Sequence, residues 1–191
     1  AMVSEELQKL NDIITREISE LGAKAISLNG QDKNLIQAEK KRAKIDLGLV
    51  GHVTEINTKP ILEKFKSNTV IVILPMGKGK DKKTYNVNAD EAASCVSSAL
   101  EAEKLVLLTD VKGIMRNPED PNSFLSTLTI AEAKGLIKNN IIQKGMIPKV
   151  MACIDALDNG VKKTHIIDAR IPHALLLEIF TDKGIGTEII R

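Results

Sequence analysis

The residues whose types and spacing could do chemistry fall into three short segments, and the first is the run YNVNAD at residues 85–90. The amides of Asn86 and Asn88 can donate and accept hydrogen bonds. Asp90 falls in the first turn of a helical pattern, where the helix dipole stabilises a carboxylate as an anion. A structural interpretation is also open, with Asn88 as the N-cap of that helix and Asp90 as an ordinary first-turn acid.

The second segment, LTDVKGI at residues 108–114, combines the end of an apolar strand with a turn that contains Gly113. Because glycine has no Cβ, such a turn can bring the backbone close to a nucleotide. An ordinary exit from a strand into a loop has the same composition. Ligands of a doubly wound sheet bind at the carboxyl ends of its strands, which makes this position a candidate binding site.

The third segment, GMIPKV at residues 145–150, opens a helical pattern and places Lys149 in its first or second turn. A lysine there opposes the helix dipole, which is mildly unfavourable. A residue that breaks a local rule suggests a functional role, and an ammonium beside a helix amino terminus forms a good phosphate site. The alternative interpretation is a solvated surface lysine.

Other reactive residue types do not form a recognised motif. The run MGKGK at residues 76–80 does not satisfy G-x-x-x-x-G-K-[ST], and its lysines fit a solvated hairpin tip. The histidines are not spaced as a metal set and no aspartates have calcium-loop spacing, so we expect no metal held by side chains. Cys95 and Cys153 lie far apart in apolar helical patterns, where reduced, buried thiols are expected.

The composition is that of an ordinary globular protein. Of the 191 residues, 43% are hydrophobic, 27% are charged and only 2% are aromatic, and the net charge is +2. This balance and the scarcity of stacking side chains argue against a nucleic-acid partner. No apolar run reaches the roughly 18 residues of a membrane span, and no signal peptide opens the sequence, so we expect a cytoplasmic protein without a membrane partner.

Strand-like and helix-like segments alternate along the chain, which indicates an α/β fold with a parallel sheet and helices on both faces. We predict one domain over residues 1–191. The predicted helices are residues 4–21, 59–67, 89–103, 129–138, 146–159 and 172–180. Apolar residues recur at steps of three and four in the first of them, and Thr129 with Glu132 forms a capping box at the start of 129–138. The predicted strands are residues 24–28, 53–56, 69–75, 104–110, 162–168 and 185–190, with a hairpin over residues 76–84. The β-branched run at 69–75 indicates a central, buried strand.

These segments together resemble the acetylglutamate kinases of the amino acid kinase superfamily. The resemblance rests on the runs YNVNAD (85–90), LLTDVKGI (107–114), GMIPKV (145–150) and HALLLEIFTDKGIGT (173–187). It extends to AISLNGQDKNLI (25–36), DLGLVGHV (46–53) and the opening helix, and so covers essentially the whole chain. It implies a three-layer αβα sandwich with a mostly parallel open sheet, in which residues 1–68 belong to the substrate-binding and dimerisation half and residues 69–191 to the nucleotide-binding half.

The resemblance also implies an activity, in which the γ-phosphoryl group of ATP moves to the side-chain carboxylate of N-acetyl-L-glutamate in arginine biosynthesis. It implies that Asn86 and Asn88 bind the acetylglutamate, that Asp90 orients the catalytic lysines, and that Lys149 stabilises the transferring phosphoryl group. Mg²⁺ would be held through the phosphates. The implied nucleotide-binding residues are Asp110, Val111, Lys112, Gly113, Ile114, Met115, Ile141, Ile142 and Gln143. Phosphoryl transfer depends on alignment and charge neutralisation, which a fixed ammonium and an orienting carboxylate supply.

The segment from His165 to Gly184 resembles the arginine-inhibited branch of the family. The resemblance implies an allosteric arginine site lined by His165, Glu178 and Gly184, with arginine as an inhibitor. Glu178 could pair with a guanidinium, and a glycine lets backbone approach the ligand. The alternative is a solvated helix acid beside an ordinary strand histidine. In the family, an amino-terminal helix links dimers into a hexamer, so we expect a homo-oligomer, dimer or hexamer, for a full-length protein.

The sequence differs from the family pattern in one respect. It contains no strand with a Lys–Gly–Gly phosphate loop, no Gly-Gly-Gly-containing substrate loop and no substrate-binding arginine segment, which belong to the amino-terminal third of the family. We therefore expect this chain alone to turn over slowly or not at all, and to retain nucleotide binding better than catalysis. The alternatives are a nucleotide- or arginine-binding fragment without catalysis, or another amino acid kinase such as a glutamate 5-kinase or carbamate kinase.

Overall fold

The structure, a computed structural model, describes residues 2–65, 68–117, 119–142, 145–181 and 184–191. Two compact units divide the chain: an amino-terminal unit, Ala1–Ala99, and a carboxyl-terminal unit, Leu100–Arg191. The described residues form six α-helices: α1 (Met2–Glu20), α2 (Lys59–Lys64), α3 (Ala89–Ala99), α4 (Ile130–Lys138), α5 (Ile147–Asp158) and α6 (Ala174–Phe180).

Twelve strands occur within the same described ranges, several of them only two or three residues long. They are β1 (Lys24–Asn29), β2 (Ile36–Lys40), β3 (Val50–Ile56), β4 (Thr69–Leu74), β5 (Met76–Lys78), β6 (Thr84–Val87), β7 (Lys104–Thr109), β8 (Ile114–Met115), β9 (Phe124–Leu125), β10 (Thr127–Thr129), β11 (Lys163–Asp168) and β12 (Thr187–Ile190). The alternation of helices and strands confirms the predicted α/β class.

The amino-terminal unit combines a parallel strand pair with a ring of short strands. β1 and β4 pair in parallel over their whole length, and α1 packs against both. Asn11 of α1 is buried there and donates from Nδ2 to Ser27 Oγ over 2.7 Å. β2, β3, β6 and β5 close into a four-stranded ring, in which β5 and β6 form the predicted antiparallel hairpin.

The carboxyl-terminal unit contains a four-stranded sheet in the order β10-β12-β11-β7. β7 and β11 pair in parallel, as do β10 and β12, whereas β11 and β12 are antiparallel. α5 contacts β7, β11 and β12 and contributes much of the core through fully buried side chains, namely Val150, Cys153, Ile154 and Leu157. α4 begins with the predicted capping box, because Thr129 and Glu132 exchange backbone and side-chain hydrogen bonds.

Several predicted boundaries were wrong, and local backbone conformation explains two of them. α3 ends at Ala99 rather than residue 103, because Glu101 has a left-handed φ of 49°. The last helix begins at Ala174 rather than Pro172, because His173 between them has a φ of 58°. α2 ends at Lys64, and the last two residues predicted for it, 66 and 67, lie outside the described residues.

Among the differences between predicted and observed strands, those at β2 and β4 have a clear physical reason. β2 was missed because IQAEK is short and ends in polar residues, and its pairing with β3 is what defines it as a strand. β4 was predicted to be a buried central strand, but Val70 on it is 42% exposed. The β-branched composition of β4 therefore predicted the strand correctly and its burial incorrectly.

The boundary between the two units lies after Ala99. The predicted division at residue 68 concerns which half binds which ligand, so it stays a prediction.

No helix in the described part of the chain is long and apolar enough to cross a membrane. Within the same residues, no group of three or more His, Cys, Asp or Glu could hold a metal ion.

Candidate functional site

A pocket of about 320 Å³ lies in the carboxyl-terminal unit, at the loops that follow β7 and β11. These neighbouring strands are parallel, and the pairing of Thr109 with Asp168 brings their carboxyl ends to the same edge of the sheet. The residues that line the pocket are Asp110, Val111, Lys112, Gly113, Ile114, Met115, Ile141, Ile142, Met146 and Arg170. The structure thus brings together every predicted nucleotide residue that it describes, while Gln143 lies outside the described residues.

The turn at Gly113 is shaped by close packing against neighbouring strands. Gly113 has a φ of 135°, and a Cβ there would lie 2.6 Å from Thr187 Oγ1 and 2.9 Å from Phe124 Cε2. Thr187 is fully buried; its Oγ1 accepts from Ile114 N over 2.8 Å and donates to the Leu125 carbonyl over 2.7 Å. Only glycine fits this position, and Thr187 holds the turn against β9.

The pocket has apolar walls and a charged rim. Ile114 and Ile142 are buried, and Asp110, Lys112 and Arg170 supply the charges. Mostly apolar pockets with a few placed polar groups are typical of small-molecule and cofactor sites. Met146 and Arg170 were not predicted as binding residues, although Met146 belongs to the candidate segment GMIPKV.

Arg170 is held by Asp168 in a bidentate ion pair. Its Nε donates to Asp168 Oδ1 over 2.9 Å, its Nη2 donates to Oδ2 over 2.8 Å, and its backbone N donates to Oδ1 over 3.0 Å. These bonds, with a smaller contribution from the charge of Lys112, lower the pKa of Asp168 from 3.8 to about 2. The ion pair in turn raises the pKa of Arg170, and the charge of Asp110 raises it further.

Lys149 lies in the first turn of α5, which begins at Ile147 and has Pro148 near its start. The residue is half-buried, which does not fit a fully solvated surface lysine. The N-cap residue, Met146, supplies no side-chain hydrogen bond to the helix. The first-turn position matches the prediction, and the role of Lys149 on a phosphoryl group stays a prediction.

The run YNVNAD lies in the amino-terminal unit, where it joins β6 to α3. Asn88 Oδ1 accepts from Glu91 N over 3.1 Å, which is the capping bond of the structural interpretation. Glu91 Oε1 in turn accepts from Val53 N over 2.7 Å and ties α3 to β3. Asn86 and Asp90 are half-buried. Substrate binding by the two asparagines and the orienting role of Asp90 stay predictions.

A second pocket in the carboxyl-terminal unit, of about 590 Å³, contains all three residues of the predicted arginine site. Glu178 Oε1 lies 2.7 Å from His165 Nδ1, and its Oε2 accepts from Ile185 N over 2.6 Å and Gly186 N over 2.9 Å. Gly184 has a φ of 58°, and a Cβ there would lie 2.8 Å from Glu178 Oε2. Glu178 is only 8% exposed, so the alternative of a solvated helix acid was wrong.

The electrostatics of this second pocket favour an ionised Glu178. Burial raises the pKa of Glu178, but the hydrogen bonds from Ile185 N, His165 and Gly186 N outweigh burial and lower it overall. His165 Nε2 is buried without a hydrogen-bond partner among the described residues. Glu188 Oε1 lies 4.0 Å from that nitrogen and pairs with Lys163 Nζ over 2.8 Å.

An α/β unit in which neighbouring parallel strands end at an apolar pocket with a charged rim has the arrangement in which open α/β sheets bind small-molecule ligands. The amino acid kinase family model matches residues 1–168, and the chain therefore belongs to this family. It is 52% identical over 183 residues to the acetylglutamate kinase of Petrotoga mobilis, an alignment that covers 96% of this chain and 61% of the relative. The chain thus spans about six tenths of the length of the curated relatives it matches.

Solved structures agree with this assignment of the fold. A protein of Streptococcus mutans UA159 superposes with a TM-score of 0.81 at 28% identity, over 98% of this chain and 70% of that chain. The N-acetylglutamate synthase of Neisseria gonorrhoeae, in a complex with coenzyme A and L-arginine, superposes with a TM-score of 0.75 at 27% identity. That match covers 88% of this chain and 38% of the synthase.

Proposed function

We propose that this chain provides the nucleotide-binding part of an acetylglutamate kinase, which transfers the γ-phosphoryl group of ATP to the side-chain carboxylate of N-acetyl-L-glutamate. The observation that most supports the proposal is the convergence of residues 110–115 with Ile141 and Ile142 around one pocket. The identity of 52% to a relative named acetylglutamate kinase supports the choice of substrate.

The residues of the pocket fit an adenine nucleotide. Ile114, Ile142 and Met146 offer apolar surface to a flat base. Bound ATP supplies the phosphoryl group, with Mg²⁺ held through its phosphates.

The transfer itself falls to Lys149, Asp90 and the two asparagines. Lys149, at the amino-terminal end of α5, neutralises charge that develops on the transferring phosphoryl group, where the helix terminus also favours an anion. Asp90 orients the lysines of the active site. Asn86 and Asn88 bind the acetylglutamate by hydrogen bonds from their amides.

The proposal is tested first by calorimetry of the 191-residue chain with Mg·ADP, for which we expect saturable binding. A folded chain that shows no heat at millimolar ADP contradicts the nucleotide site.

The acceptor is tested by joining the chain to the part of the Petrotoga mobilis relative that it does not match. We expect ATP-dependent acylphosphate formation with N-acetyl-L-glutamate and little with glutamate or carbamate, which separates the proposal from other amino acid kinases.

We also propose that the second pocket binds arginine and that arginine inhibits the full-length enzyme. His165, Glu178 and Gly184 lie together there, and Glu178 and Glu188 offer negative charge to a guanidinium. The Neisseria synthase, whose structure contains L-arginine, supports the proposal. We expect calorimetry of the joined protein to show arginine binding that citrulline, which has no charge on its side chain, does not reproduce, whereas the 191-residue chain alone should bind arginine weakly or not at all. Equal binding of the two compounds contradicts a role for the acids.

The remaining expectations concern the setting of the enzyme. A cytoplasmic location and a homo-oligomer, dimer or hexamer, fit an ATP-dependent biosynthetic enzyme and are proposed on that ground. Light scattering of the joined protein tests the oligomer, and fractionation of the source cells tests the location.

A further inference from the structure

Arg170 is a pocket residue to which the proposed function assigns no role. It follows β11, lines the pocket with Asp110 and Lys112, and has a side chain that is 66% exposed. Its partner Asp168 has a side chain that is only 5% exposed. A cation that is open to a pocket while a buried acid fixes its position is arranged to meet a ligand.

The position of Asp168 is fixed by the sheet. Asp168 is the last residue of β11 and pairs in register with Thr109 of β7. The next residue, Ala169, donates from its backbone N to the Thr109 carbonyl over 2.8 Å. Pairing between β7 and β11 therefore fixes the position of the Asp168 carboxylate, which in turn holds Arg170. Because the guanidinium is already held, it loses little further rotamer freedom when a ligand binds.

The geometry of the ion pair leaves one edge of the guanidinium for a ligand. A guanidinium is planar with five N–H donors, and Arg170 turns its Nε and Nη2 towards Asp168 over 2.9 and 2.8 Å. The edge formed by Nη1 and the second hydrogen of Nη2 consequently points away from Asp168. Two nearly parallel N–H groups on such an edge match two oxygens of a phosphate group.

The charges near Arg170 have different expected roles. Lys112 lies close enough to lower the pKa of Asp168, so a second cation is available to an anionic ligand. Asp110 lies close enough to raise the pKa of Arg170, and its carboxylate suits the hydroxyl groups of a sugar as an acceptor. A nucleotide offers both kinds of group, whereas a nucleoside lacks the phosphate.

We propose that Arg170, positioned by Asp168, binds a phosphate group of the nucleotide in this pocket. The inference rests on the proposed nucleotide binding and adds a residue and a role to it. Asp168 acts through Arg170 and is a positioning residue.

The test compares Mg·ADP with adenosine by calorimetry on the 191-residue chain. Arg170→Ala is expected to weaken ADP binding about tenfold or more, as loss of a charge-assisted bidentate contact does, and adenosine binding less than about twofold. Arg170→Lys, which keeps the charge and loses the paired N–H groups, is expected to bind ADP with intermediate affinity. Asp168→Asn is expected to weaken ADP binding less than Arg170→Ala. Arg42→Ala, in the amino-terminal unit, is the matched control and should bind as the wild type does.

The possible results separate this inference from the proposed function. A folded Arg170→Ala protein with wild-type ADP affinity overturns the role of Arg170 alone. Equal losses for ADP and adenosine also overturn it, since they would place Arg170 on the base or the sugar. If the folded wild type binds neither compound, the nucleotide site itself fails and the inference fails with it. Because Arg170 is exposed, its alanine variant provides the result even if Asp168→Asn fails to fold.

Discussion

At the scale of single residues, Glu178 is a buried acid in the second pocket whose carboxylate takes part in three hydrogen bonds. One oxygen meets His165 and the other receives two backbone N–H groups from residues 185 and 186. A buried carboxylate with several donors stabilises the loop that supplies them, because the donors would otherwise lose hydrogen bonds on leaving water. Glu178 therefore organises the predicted arginine site as well as lining it.

Stability should depend on the ionisation of Glu178. The pKa of Glu178 is lower in the folded protein than its usual value of 4.5, so the ionised form favours folding. This stabilisation is complete above the unfolded pKa and is lost as the pH falls through the folded pKa. We expect Glu178→Gln to lower the free energy of unfolding by about 1–3 kcal/mol at pH 7. The difference from wild type should shrink as urea titrations are moved from pH 6 to below pH 4, and a difference that is constant over this range contradicts the assignment.

At the scale of elements, the turn between β7 and β8 shapes the nucleotide pocket through Gly113. Its positive φ and its contacts with Thr187 and Phe124 exclude a Cβ. Gly135 in α4 gives a contrast, because a Cβ there would meet nothing within 4 Å. The two glycines lie in the same unit and differ in what surrounds them.

Alanine at these two glycines should therefore have opposite effects. Gly113→Ala combines backbone strain with a clash and should destabilise the protein by about 1–3 kcal/mol or more. Gly135→Ala should stabilise it by roughly 0.5–1 kcal/mol, since glycine inside a helix is unfavourable relative to alanine. Thermal and urea unfolding of both variants measure this, and a stable Gly113→Ala protein would show that the turn is not as tightly packed as described.

At the scale of the whole molecule, the chain divides into two units, and the nucleotide pocket belongs to the carboxyl-terminal one. A ligand that binds only the folded state stabilises it by an amount that grows with the logarithm of the ligand concentration relative to Kd, about 2.7 kcal/mol at a hundredfold excess. Lys149, which is proposed to act on the phosphoryl group, and Asp90, which is proposed to orient the active-site lysines, belong to different units. Nucleotide binding is therefore expected to depend on the carboxyl-terminal unit, whereas catalysis is also expected to depend on Asp90 in the amino-terminal unit.

Nucleotide binding should protect the carboxyl-terminal unit in particular. We expect Mg·ADP to slow hydrogen exchange most at residues 107–115 and 145–150, with little change over β2 and β3 of the amino-terminal unit. Hydrogen-exchange mass spectrometry of the 191-residue chain with and without Mg·ADP measures this. Protection confined to β2 and β3 would place the nucleotide elsewhere.

Lys149 and Asp90 should each be required for catalysis. In the protein joined to the unmatched part of the Petrotoga mobilis relative, Lys149→Ala is expected to lower kcat by about 10²–10³-fold, as removal of a group that stabilises transition-state charge does. Asp90→Asn should also lower kcat, because the lysines lose their orienting charge. Both variants should keep a Tm near that of the joined parent protein. Near-normal kcat in either variant contradicts the role assigned to that residue.

The sequence by itself determined the order and type of most elements, and it predicted the segments that line the two pockets. Periodicity predicted α1, and the β-branched run at residues 69–75 predicted β4, because these signals arise from neighbouring residues along the chain. The capping box at Thr129 and Glu132 was predicted for the same reason. The nucleotide and arginine residues came from the family resemblance of short runs, which requires no knowledge of packing.

Tertiary structure decided which residues meet across long sequence separations. Asp110 and Arg170 share one pocket because β7 and β11 pair in parallel. Thr187 holds the turn at Gly113 through a hydrogen bond to Ile114, which is 73 residues away in sequence. β2 and the exposure of Val70 likewise depend on pairing partners rather than on composition. Local sequence fixes local backbone preference. Burial, strand pairing and the partners of a charged side chain are set by contacts that form only when the chain has folded.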